Sequence, residues 1–175
     1  CSISLICLLF IFSCISSLFI VTKKVSLKSK KLSKDYCLVL ISDIHLGSNS
    51  DRHLQRIINK INKINPDKIL IGGDLIDSSS FNLSKLILLK SIKKPIYFVT
   101  GNHEYYLKNF QETMVSLKKN HLIILNNTSA LFEEINLIGI SDNISLKNKV
   151  QVVQRLIKND LFNICLVHQP SIWEE

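Results

Sequence analysis

The chain has 175 residues, 46% of them hydrophobic and 21% charged, with 22 basic against 14 acidic side chains for a net charge of +8. That apolar content excludes a disordered chain, and the length suffices for one domain with its own core plus an appendage, without disulfide staples. Five cysteines, at 1, 7, 14, 37 and 165, show neither a disulfide framework nor CxxC spacing, so they read as small buried thiols in a reducing compartment.

Residues 1–22, CSISLICLLFIFSCISSLFIVT, carry no charge. A helix of that length, at about 1.5 Å per residue, covers a hydrocarbon core of roughly 30 Å. The run is longer than a signal-peptide apolar region and ends without a small-x-small cleavage pattern, so it reads as a retained transmembrane anchor. A cleaved or lipidated signal is the alternative, and a core helix the third reading. Residues 23–35 form a basic juxtamembrane linker with lysines at 23, 24, 28, 30, 31 and 34. These six account for most of the net charge and leave about +2 for the remainder, so the basic balance is local and does not call for a nucleic-acid partner. Lysines beside a span favour the cytoplasmic side and attract anionic headgroups. A solvated linker is the bland alternative.

From residue 36 the chain alternates strand and helix. YCLVLIS (36–42) reads as a buried strand, and DRHLQRIINKINKI (51–64) as a helix with Leu54, Ile57, Ile58, Ile61 and Ile64 on one face, ended by Pro66. A strand over 68–73, a helix over 81–92, a strand over 95–101 and a helix over about 107–119 follow. HLIILNN (121–127) reads as a strand, 129–141 as a hairpin turning near Glu133 and Glu134, 146–159 as a helix and 162–170 as the last strand with its exit loop. The alternation predicts an α/β domain over 36–175.

Reactive side chains collect after four of these strands. The first ends in SDIHLG with Asp43 and His45, the second in GGDLID with Asp74 and Asp77, the third in TGNHEYY with Asn102, His103 and Glu104, and the last in LVHQP with His168. Singly, each is ordinary turn chemistry. Together they place carboxylate, imidazole and amide oxygen at the strand ends where α/β sheets bind ligands. That donor set suits Mn, Fe, Zn or Mg. Two cations about 3.5–4 Å apart need a bridging carboxylate, for which Asp74 is the candidate, and such a pair activates water and clamps a phosphoryl group. His53 and His121 read as ordinary structural residues. Tyr105 and Tyr106 are read either as pocket lining or as packing.

The series D-x-H (Asp43 to His45), G-D-x-x-D (Gly73 to Asp77), G-N-H-E (Gly101 to Glu104) and the later His168 resembles the calcineurin-like metallophosphoesterase family. The resemblance spans about residues 36–170. It implies a four-layer αββα fold, a sandwich of two mixed sheets flanked by helices. It assigns Asp43 and His45 to one metal, Asp74 to both, and Asn102 and His168 to the second. His103 would be catalytic rather than a ligand, donating a proton to the leaving oxygen or stabilising the transferring phosphoryl group. Asp77 and Glu104 would orient the ligands. The family pattern closes with G-H-x-H, which does not occur after His168. The expectation is therefore a C-terminally truncated domain in which each metal lacks one protein ligand and the chain alone is weak or inactive. The membrane-anchored branch implies a phosphoester or pyrophosphate substrate at a membrane, such as a UDP-diacylglucosamine-type lipid A precursor. A soluble-nucleotide phosphodiesterase and a non-enzymatic metal-binding remnant are the alternatives. No nucleic-acid partner is expected.

Overall fold

The computed structural model describes residues 19–171. Residues 1–18 of the expected anchor lie outside the described residues. Residues 19–22 carry no regular secondary structure, and no helix among the described residues is long and apolar enough to cross a membrane.

Two sheets form the centre. In the first, β1 (Leu38–Ile41), β2 (Lys68–Ile71), β3 (Ile96–Phe98) and β4 (Leu122–Ile124) lie side by side in that order, all parallel. In the second, β5 (Thr128–Phe132) and β6 (Ile135–Ile140) make the expected antiparallel hairpin, with Phe132 opposite Ile135, and β7 (Phe162–Val167) pairs parallel with β6. The implied pair of mixed sheets thus holds only for the second. Every connection in the first passes through a helical or 3-10 segment, which returns the chain to the same end and makes each pairing parallel.

The continuous apolar runs of β2 and β3 follow from two cores, one on each face. Ile69, Ile71, Ile96 and Phe98 enter a core against the helices, whereas Leu70, Tyr97 and Val99 meet Leu125, Leu137 and Leu166 between the sheets. Helix α1 (Asp51–Ile64) buries Leu54, Ile57, Ile58 and Ile61 and stops at Asn65, which adopts the left-handed conformation ahead of Pro66.

The helix expected over 81–92 is instead a 3-10 helix, Leu83–Ser91. Leu83, Leu86, Leu89 and the following Ile92 recur every three positions on the core side, the period at which side chains eclipse in a 3-10 helix, and Leu88 packs on the core beside them. Burial at about 1.5–3 kcal/mol per side chain outweighs the poorer hydrogen-bond geometry. The helix expected over about 107–119 begins at Phe110, and a further short helix that was not expected precedes it. Short α2 (Asn102–Tyr106) covers the GNHEYY stretch, and α3 (Phe110–Lys119) follows after a break at Leu107. Glu104 starts α2 by accepting the Gly101 N–H at 2.8 Å. Helix α4 (Leu146–Leu156) links β6 to β7 and packs on β6.

Cys37 and Cys165 are exposed rather than buried. Cys37 precedes an edge strand and Cys165 lies in one, so neither position is enclosed by neighbouring strands.

Candidate metal centre

The C-terminal ends of β1, β2 and β3 meet that of β7, so the site lies on the seam between the two sheets. Asp43, His45 and Asp74 all have positive φ, of 56°, 51° and 52°. Such left-handed residues cost about 1–3 kcal/mol each and need surrounding structure to hold them. Cross-loop bonds supply it: Asp43 N–H donates to the Gly73 carbonyl, His45 N–H to that of Asp74, and Leu46 N–H to that of Leu75, at 3.1, 3.0 and 2.8 Å.

Asp74 is the centre of the cluster and is 3% exposed. Its Oδ1 accepts the His103 backbone N–H at 3.0 Å. That leaves Oδ2 facing three imidazoles, with Nε2 of His168 at 3.3 Å, of His103 at 3.9 Å and of His45 at 4.0 Å. Gly101 permits the approach, since a Cβ there would sit 2.2 Å from Asp74 Oδ1. The half-exposed Asp43 carboxylate lies 3.7 Å from His45 Nε2.

The donors form two overlapping groups that share Asp74: Asp43 with His168, and His45 with His103. His168 shows that the set fits a cation. Its Nδ1 lies 2.9 Å from the Gly72 carbonyl, which can only accept, so Nδ1 carries the proton. Its Nε2 then faces two more oxygens, Asn102 Oδ1 at 3.1 Å and Asp74 Oδ2 at 3.3 Å. A bare lone pair among acceptors is unfavourable, and a positive charge between them resolves the conflict. His45 repeats the pattern, with Nδ1 3.3 Å from Asp77 Oδ2 and Nε2 turned toward Asp43 and Asp74. A carboxylate or carbonyl behind a histidine fixes its tautomer for metal ligation.

All the expected ligands, Asp43, His45, Asp74, Asn102 and His168, are thus brought together, with His103 among them. Its side chain is 40% exposed, and its ring meets that of His45 edge-on at 4.8 Å.

Asp77 lies behind His45, as expected of an orienting residue. Burial raises its carboxyl, but the bonds from Ser48 and the nearby His45 outweigh this and hold it below the ordinary value. Glu104 acts on backbone rather than on ligand side chains. Fully buried, it accepts the N–H groups of Asp74 and Gly101 at Oε2, at 3.0 and 2.8 Å, and that of Ile76 at Oε1, at 3.0 Å. Burial pushes its carboxyl up, and the three donated bonds work against that rise.

The Gly72 carbonyl escaped sequence reasoning because a backbone group has no residue-type signal. Tyr105 divides from Tyr106. Its hydroxyl lies 2.6 Å from Thr100 Oγ1 and its ring stacks on Phe110, whereas Tyr106 is exposed with its ring 6.1 Å from that of His103.

Comparison with known proteins agrees with this geometry. A sequence model of the calcineurin-like phosphoesterases matches residues 38–173. The chain is 33% identical over 159 residues to an uncharacterized metallophosphoesterase of Campylobacter jejuni, covering 85% of this chain and 42% of that protein. It is 40% identical over 97 residues to a transmembrane protein with metallophosphoesterase domain of Danio rerio, covering 53% of this chain and 22% of the other. The chain therefore spans less than half the length of these relatives. The fold is similar to that of the crystal structure of TT1561 of Thermus thermophilus, with a TM-score of 0.55 at 10% identity, covering 74% of this chain and 66% of that one. The site geometry and the family match lead to one conclusion: the chain belongs to the calcineurin-like phosphoesterase family.

Proposed function

We propose that the protein is a metal-dependent phosphoesterase whose centre holds two divalent cations sharing Asp74. Asp43 and His45 would hold one and Asn102 and His168 the other, with Mn, Fe, Zn and Mg all compatible with these donors. When bound, the cations supply the charge that activates water toward phosphorus and clamps the phosphoryl oxygens.

The remaining roles belong to the chain. The His103 N–H bond to Oδ1 orients the Asp74 carboxylate so that Oδ2 faces the three imidazoles. Asp77 and the Gly72 carbonyl aim His45 and His168 inward. His103, whose side chain is partly exposed, would meet substrate and donate a proton to the leaving oxygen.

The observation that carries the reading is the crowding of three imidazole nitrogens around Asp74 Oδ2. The test is release of p-nitrophenol from bis(p-nitrophenyl) phosphate by the whole gene product with manganese or zinc. Turnover lost in Asp74→Asn supports the reading. Metal uptake without turnover favours a binding remnant, and no uptake at all refutes both.

The reaction is read as taking place beside a membrane, with the catalytic domain on the cytoplasmic side. Support comes from the uncharged run 1–22, the lysines after it, and the transmembrane proteins named among the relatives. Two substrate classes remain in view. Nearness to a bilayer favours a pyrophosphate-linked lipid of the UDP-diacylglucosamine type, and similarity to probable cyclic nucleotide phosphodiesterases favours a soluble nucleotide phosphoester.

A further inference from the structure

The lysine-rich segment is not a free tether. Ile20 packs against the core beneath the helices. At its other end, Lys31 Nζ donates to the carbonyls of Asn159 and Leu161 at 2.6 and 3.3 Å. Ser33 N–H donates to Glu134 at 2.9 Å, Lys34 pairs with Glu133 at 2.5 Å, and the Tyr36 hydroxyl donates to Glu133 and Glu134 at 2.9 and 3.1 Å. Two of the six lysines are thus used to clamp the segment to the second sheet.

Beside Ile20 and on toward Lys31 the surface has a different character. Phe19, Val21, Val25 and Leu27 are 70%, 88%, 68% and 74% exposed. Lys23, Lys24, Lys28 and Lys30 are exposed among them, and no acidic residue occurs from 19 to 34. Apolar side chains interleaved with unneutralised ammonium groups match the boundary where acyl chains meet anionic headgroups. Nucleic acid would call for several stacking rings, and this stretch has only Phe19.

The clamp also has a place in the fold. Glu133 and Glu134 form the turn ahead of β6, and residues 159 and 161 immediately precede β7. His168 follows the opposite end of β7, six residues away, or about 20 Å of extended chain. Likewise Tyr36 precedes β1, and Asp43 follows it. Lys28 and Lys30 lie within three residues of the clamp, at the pole opposite the metal centre.

The geometry points to a docking strap: residues 19–30 lie on an anionic lipid surface and hold the domain with its catalytic pole turned away from it, so the site takes a water-soluble phosphoester. This inference rests on the membrane-proximal, phosphoesterase reading above and narrows its substrate class.

The test needs no turnover, so its failure is separate from failure of the enzyme reading. The full chain is reconstituted into vesicles of phosphatidylcholine, or of phosphatidylcholine with phosphatidylglycerol. Lysine reactivity toward an acetylating reagent is then read residue by residue by mass spectrometry. Lys23, Lys24, Lys28 and Lys30 should react several-fold more slowly in the anionic vesicles, and high salt should restore them. Lys108, exposed beside the catalytic loops, should react equally in both. Equal labelling of the four lysines in both vesicle types overturns docking by charge. Protection of Lys108 together with them overturns the orientation. Stronger protection by an added oligonucleotide than by anionic vesicles replaces the lipid surface with nucleic acid and overturns the proposal.

Discussion

The backbone N–H of His103 donates to Oδ1 of Asp74 at 3.0 Å, so the loop after β3 determines which oxygen of the β2 carboxylate remains for the cluster. The side chain of Asp74 therefore has two separable tasks, one in loop geometry and one in charge.

Asp74→Asn separates them. The amide oxygen can still accept from His103, but the negative charge among three imidazoles is gone. Metal content by elemental analysis should collapse and phosphoesterase activity fall by more than about 100-fold, the upper range for loss of an outer-sphere partner. Compared metal-free, the variant and the parent should have nearly the same urea midpoint, because the interloop hydrogen bond survives.

His103→Gln tests a different role. A proton donor at the leaving oxygen contributes about 10²–10⁴ in rate. The turnover number should fall by that amount with metal content unchanged. Metal loss in parallel with activity would instead make His103 a ligand, a role that its grouping with His45 and Asp74 also allows.

Glu104→Ala leaves three buried N–H groups, of Asp74, Ile76 and Gly101, without their acceptor. Each orphaned donor costs about 1–3 kcal/mol. Urea denaturation should show a loss of at least about 3 kcal/mol, and metal affinity should drop with it because the loops carrying Asp74 and Asn102 lose their shared anchor.

Acid should release the strap. The hydrogen bond to Lys34 holds Glu133, and the one from the Ser33 backbone holds Glu134, below the ordinary carboxylate value of 4.5. A carboxyl lowered in the folded state contributes stability that is complete above its unfolded value and is lost as pH falls through the folded one. Amide exchange at Ser33 and proteolysis within 19–35 should therefore be slow near neutrality and accelerate once the pH drops below about 4.5. A protection pattern flat down to acid unfolding of the whole domain would refute the clamp.

Much of this could be read from residue order, and the limits have physical causes. Helix α1 was legible over Asp51–Ile64 because its apolar residues follow a 3.6-residue period with a breaker at Pro66. The hairpin turn was legible from the acidic pair Glu133 and Glu134 set between two apolar runs. The 3-10 segment was not, since Leu83, Leu86, Ile87, Leu88 and Leu89 are all apolar and hide the three-residue spacing of Leu83, Leu86 and Leu89. Short α2 was hidden because GNHEYY reads as a loop until Glu104 folds back onto Gly101. In the site, Asp43, His45, Asp74, Asn102 and His168 stood out by residue type at strand ends. The left-handed backbones of Asp43, His45 and Asp74, the Gly72 carbonyl behind His168 and the unequal use of the two Asp74 oxygens arise only from tertiary placement.

One consequence concerns assembly. Asp43, His45, Asp74 and Asn102 follow strands of the first sheet, whereas His168 follows β7 of the second. A chain whose first half has folded before the sandwich closes owns only part of this cluster and gains the imidazole of His168 only when β7 seats against β6. A cation held across both layers would thereby act as a checkpoint, favouring the closed sandwich over intermediates in which the two layers have not yet come together.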